Sequence, residues 1–98
     1  MATLAHHPIP PGEILADEFL KPLGVSQYRL AQATGLSQTH IGQIVRGTRR
    51  ITPEAGLLIA RAFGLSDRYW IDLQTNYDTM AAKLRLADRI AAVEPIAA

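Results

Sequence analysis

The stretch from Gln27 to Arg46, closed by Gly47, constrains this chain more than any other. Leu30, Ala31, Leu36, Ile41 and Ile44 are apolar, Gly35 stands at the break, and polar residues fill the positions between them. The pattern predicts two short helices joined by a tight turn. Leu30 and Ala31 face inward from the first, and Ile41 and Ile44 anchor the second on it. A residue as small as Ala31 lets two crossing helices approach closely, and Gly35 can take the positive φ that a compact turn requires. The face left over on the second helix is Gln38, Thr39, Gly42, Gln43 and Arg46, and no carboxylate lies on it.

The rest of the chain has to support that unit. Its 98 residues suit one domain, and 48% hydrophobic with 19% charged residues describes a folded chain rather than a disordered tail. No apolar run approaches the roughly 18 residues of a membrane span, and the first residues have no basic segment followed by an apolar one, as a secretory signal would. With no cysteine, disulfide and thiolate chemistry are excluded, which suits the cytoplasm. The net charge of +1 says little by itself. Its distribution says more: Arg29, Arg46, Arg49 and Arg50 surround the two-helix unit, whereas Glu13, Asp17 and Glu18 gather before it. Local positive charge of this kind is what a nucleic-acid duplex attracts.

In chain order, residues 1–10 show no helical period and read as a flexible arm. The adjacent His6 and His7 have no cysteine or suitably spaced carboxylate to complete a metal site. Pro11 opens a first helix, with Ile14, Leu15, Phe19 and Leu20 on one side and Asp17 and Glu18 on the other. Pro22 and Gly24 end it near Lys21. Ser26 and Ser37 cap the next two helices, and Gly47 ends the third. Thr48, Arg49 and Arg50 form a basic loop and Ile51 an apolar plug. Thr52-Pro53 then starts a fourth helix, with Leu57, Leu58, Ile59 and Ala62 expected on its inner side and Gly56 unfavourable by roughly 1 kcal/mol relative to Ala.

Ser66 is expected to cap a longer fifth helix, along which Trp70, Leu73, Tyr77, Met80 and Leu84 recur at steps of three and four. Four short helices cannot hide so long a stripe. Tyr77, Met80 and Leu84 are therefore the expected interface with a second copy. Leu86, Ile90 and Val93 allow a further short turn or helix. The expected organisation is all-α: an arm over 1–10, a five-helix domain over 11–84, and a short C-terminal extension over 85–98.

The segment from Gln27 to Arg46 resembles the helix-turn-helix unit of phage repressors and their bacterial relatives, in which the second helix enters the major groove. The likeness extends further. Residues Pro11 to Leu20, Leu23 to Ala31, Gly47 to Pro53 and Ala60 to Ser66, with Trp70 and Leu73-Gln74, together resemble the HigA/VapI-type antitoxins. The resemblance implies a cytoplasmic homodimer that binds double-stranded operator DNA at an inverted repeat, represses its own operon and neutralises a HigB-like mRNA interferase. It implies no cofactor. Carried onto this chain, it places Gln38, Thr39 and Gln43 where bases are read, and Gln27, Arg46, Arg49 and Arg50 where phosphates are met.

Two departures stand out. Gly42 sits at an expected groove-facing position, which removes one potential contact. Gly56-Leu57 replaces a more usual basic segment in the fourth helix.

The competing functional classes are a regulator without a toxin partner and an enzyme. The enzyme reading fails on spacing: His40 has no neighbouring nucleophile, Ser37 is explained as a cap, and Asp17 and Glu18 point apart on one helix. No phosphate-binding loop or metal cluster is present in the sequence.

Overall fold

Caps and prolines set where the helices begin. The computed structural model describes residues 8–97, so the expectations for His6 and His7 and for most of the amino-terminal arm lie outside the described residues. Six helices follow, and no strand occurs among the described residues. Helix α1 covers residues 11–23, α2 Gln27–Thr34, α3 Gln38–Val45, α4 Pro53–Phe63, α5 Tyr69–Arg85 and α6 Ala87–Ala92. The all-α architecture is the expected one, and the short C-terminal helix is formed.

Helix α1 runs past Lys21, the expected end, and stops at Gly24, whose φ of 66° is left-handed. Pro22 is accommodated inside the helix because residues Leu15–Leu20 are π-helical, with the Lys21 N–H donating to the Ala16 carbonyl five residues back. A proline ring ordinarily clashes with the carbonyl four residues earlier, and the wider π turn relieves that clash.

Three caps form as expected. The hydroxyl oxygens of Ser26, Ser37 and Thr52 accept from the N–H groups of Arg29, His40 and Ala55, at 3.0, 3.0 and 3.3 Å. Ser66 does not cap α5. Helix α5 starts at Tyr69, and Ser66 contributes only its carbonyl, accepting from the Tyr69 N–H at 3.1 Å.

The core lies where α1, α2, α3, α4 and the first turns of α5 meet. Leu15, Leu30, Ile41, Ile44, Ile51, Ile59 and Trp70 are fully buried, each worth about 1.5–3 kcal/mol of transfer free energy as an upper estimate. Phe19 of α1 packs on Phe63 of α4 and Trp70 of α5, both at ring-centroid distances of 5.2 Å.

The inner face of α4 is Ala55, Gly56, Ile59 and Ala60, while Leu57, Leu58 and Ala62 are exposed. This corrects the expected orientation: the small residues face in because α5 comes close. A Cβ added at Gly56 would lie 3.3 Å from Ile71 Cγ1 and 3.4 Å from Trp70 Cβ. Crowding against α5 thus accounts for a glycine inside a helix. A tighter approach occurs at Gly12, where a Cβ would stand 1.7 Å from the Ile44 carbonyl oxygen. The start of α1 rests directly on the backbone of the last turn of α3.

The distal half of α5 and all of α6 project from this core, and the molecule measures 51 × 30 × 22 Å. No helix among the described residues is long and apolar enough to cross a membrane.

Candidate nucleic-acid interface

The turn between α2 and α3 is built by Gly35 and Thr34. Gly35 has φ 80° and donates its N–H to the Ala31 carbonyl at 2.9 Å. The Thr34 hydroxyl donates to the Leu30 carbonyl at 2.8 Å and accepts from the Leu36 N–H at 3.2 Å. Both ends of the turn are thereby satisfied without a side chain reaching outward.

Helix α3 is held by Ile41 and Ile44, both buried, and presents Gln38 and Thr39 to solvent, with Gln43 half-buried beside them. Its capped N-terminus also offers N–H groups, which favour anions. Gly42 is a correction to the expected outward face. It is buried, and a Cβ there would meet Arg46 Nη1 at 3.2 Å and Gln27 Oε1 at 3.3 Å. The side chains of Gln27 and Arg46 therefore converge over Gly42, so the glycine is the floor on which two candidate phosphate contacts sit.

The loop after α3 carries the other two arginines, and the structure gives them different neighbours. Arg49 Nη1 donates to Gln43 Oε1 at 3.2 Å. Arg50 pairs with Asp78 of α5. Asp78 also accepts from Gln74 Nε2 at 2.9 Å, and Gln74 Oε1 accepts from the Ile51 N–H at 2.7 Å. Burial alone would push the Asp78 carboxyl up. Hydrogen bonds from Arg50 and Gln74, with the Arg50 charge, outweigh it and hold the group below the usual carboxylate value. Gln74 figures in the sequence only within the family resemblance and Asp78 not at all, because they lie 23 and 28 residues from their loop partners and no periodicity signals a polar pair at that distance.

His40 is half-buried on α3. Desolvation and the nearby Arg49 lower its pKa, partly offset by Glu54, and its Nε2 is buried without a hydrogen-bond partner among the described residues. Among the described residues no group of histidines and carboxylates could hold a metal ion.

From Phe19 to Pro53 the chain contains no Asp or Glu. The site is a capped helix on an apolar base, flanked by Gln27, Arg46 and Arg49, with no carboxylate on its outer face. That arrangement suits a polyanion and has no catalytic constellation. It defines a helix-turn-helix DNA-binding module.

Comparison with known proteins agrees. Residues 18–70 match the helix-turn-helix family. The chain is 44% identical over 75 residues to virulence-associated protein I of Dichelobacter nodosus, covering 76% of this chain and 69% of that protein. Its fold is similar to that of the Pseudomonas aeruginosa antitoxin HigA with the higBA promoter, with a TM-score of 0.85, 35% identity, and coverage of 92% of this chain and 99% of that one. It is also similar to the antitoxin GraA in complex with its operator, with a TM-score of 0.86, 29% identity and full coverage of both chains. The chain belongs to the HigA/VapI-type antitoxins of the helix-turn-helix family, which are DNA-binding regulators and not catalysts.

Proposed function

We propose that this DNA-binding antitoxin works as a homodimer that represses its own operon at an inverted repeat and neutralises a HigB-like mRNA interferase in the cytoplasm. The observation that carries the DNA reading is the orientation of α3: Ile41 and Ile44 are buried, while Gln38 and Thr39 face outward between flanking arginines. Two such helices about 34 Å apart meet successive faces of the major groove. Gln38 can offer a paired donor and acceptor to adenine, Gln43 a donor from Nε2 while Arg49 holds its Oε1, and Thr39 a hydroxyl or a methyl to thymine. Gln27, Arg46 and Arg49 contact phosphate, and Arg50 adds positive charge at the edge of the same surface.

The dimer reading rests on α5. Tyr77 is half-buried, whereas Met80 and Leu84 are exposed on a helix that projects from the core. Residues 11–84 form the DNA-binding and dimerisation domain in this reading. The toxin reading rests on family membership, and a regulator without a toxin is the alternative.

The test of repression is binding to the inverted repeat upstream of the gene and to a scrambled duplex at matched salt. Preference for the repeat is the expected result, and equal affinities would refute it. For the toxin, the expected result is co-purification with the product of a small gene beside this one.

A further inference from the structure

The loop of residues 47–52 is tied at both ends of the basic face. On one side Arg49 donates to the Gln43 carboxamide. A guanidinium can only donate, so this contact fixes the amide with Oε1 toward Arg49 and leaves Nε2 free to donate outward. On the other side the loop is fastened to α5. Gln74, the buried polar side chain of the core at 5% exposure, takes the Ile51 N–H and donates to Asp78, and Asp78 holds Arg50. Ile51 itself is buried, so the loop cannot slide while Gln74 holds its backbone.

We propose that Gln74 and Asp78 are positioning residues for base readout: by clamping the loop onto α5, they place Arg49 where it orients the Gln43 carboxamide, and thereby set operator preference from outside the DNA-facing surface. The inference deepens the DNA-binding reading and rests on it. It assigns Arg49 two roles, orienting a reader as well as meeting phosphate. It also gives α5 a part in recognition.

Simple charge and positioning predict opposite results for Asp78. Removing a carboxylate beside a basic face strengthens binding to any duplex if only charge matters. If Asp78 positions the loop, its removal flattens discrimination at the base pair that Gln43 reads.

The experiment uses the full chain and variants Asp78→Ala, Asp78→Asn, Gln43→Ala and Arg46→Ala. Each is measured at one salt concentration against the upstream inverted repeat and a panel of single base-pair changes in it. Asp78 is partly exposed, so its variants are expected to stay folded, and circular dichroism checks this. Gln43→Ala identifies the base pair concerned. Asp78→Ala is expected to reduce preference at that base pair about fivefold and leave the others unchanged. Asp78→Asn, which keeps an acceptor oxygen, is expected to restore part of it, and Arg46→Ala to weaken all duplexes alike. A common gain in affinity across the panel for Asp78→Ala, or preferences identical to those of the parent chain, overturns the proposal.

A second arm needs no DNA. Nuclear magnetic resonance of the free chain is expected to show Asp78→Ala shifting the Gln43 side-chain amide and loosening the amides of residues 48–51. Unchanged signals overturn the clamp itself. A parent chain with no preference anywhere in the panel, alongside shifted amide signals, counts instead against base reading, and the proposed role in readout falls with it.

Discussion

The two ends of α5 have the same apolar spacing and opposite surroundings. Trp70, near its start, is fully buried between α1 and α4, while Leu84, near its end, is 56% exposed. A periodic stripe therefore states which side of a helix is apolar and not what covers it. The radius of gyration is 16.3 Å, against about 13 Å for a compact chain of this size, as suits a molecule in which the distal half of α5 and α6 project. Met80 and Leu84 on that half of α5 are exposed, as are Ile90 of α6 and Val93 just beyond.

The sharpest way to break this contrast is to truncate each end. Trp70→Ala is expected to cost about 3–5 kcal/mol in urea unfolding, because the surrounding rings cannot close the cavity. Leu84→Asp should change the intrinsic stability of one chain by no more than about 0.5 kcal/mol. It should nevertheless convert dimer to monomer in sedimentation and lower affinity for the full inverted repeat on the order of 10²-fold, the loss expected when two linked sites become one. If both substitutions unfold the chain equally, the distal half belongs to the core and the contrast is wrong.

Smaller effects sharpen the same division within the packed half. Ser37→Ala, which removes the α3 cap, is expected to cost about 1 kcal/mol in the same unfolding assay. The smallest effect is at His40. Its folded pKa is lowered, chiefly by burial and then by Arg49, so the folded state disfavours the proton. Its contribution is present above the ordinary histidine value and is lost as pH falls from there through the depressed folded value. The urea midpoint should drop more between about pH 7.5 and about pH 5 for the parent chain than for His40→Gln.

Local chemistry made most of the helices legible. Ser26, Ser37 and Thr52-Pro53 are capping signals that act within three residues, and Gly35 and Gly64 end helices by backbone conformation alone. Features that depend on a distant partner were not legible. For α4 the apolar pattern points Leu57 and Leu58 inward, whereas closeness to α5 favours the smaller Gly56 and Ala60 there. Ser66 resembles the other caps, but the chain first makes a turn through Asp67 and Arg68. The π-helical passage in α1 reflects how Pro22 is accommodated within a helix, whereas proline normally signals only an end. Within the candidate site, the outward α3 residues could be read from periodicity. The partners of Arg49 and Arg50, and the burial of Gly42, needed coordinates.

Gly12 has a consequence of its own. With the first helix seated on the Ile44 carbonyl, the tilt of α3 is governed by contact with a remote part of the same chain, and even one added methyl acts as a wedge under it. If the proposed dimer forms, its two-fold axis repeats such a wedge in both copies, so both reading helices turn by the same amount. Gly12→Ala is therefore expected to alter operator affinity, measured against the parent chain on the same duplex, while no proposed base-reading residue is changed.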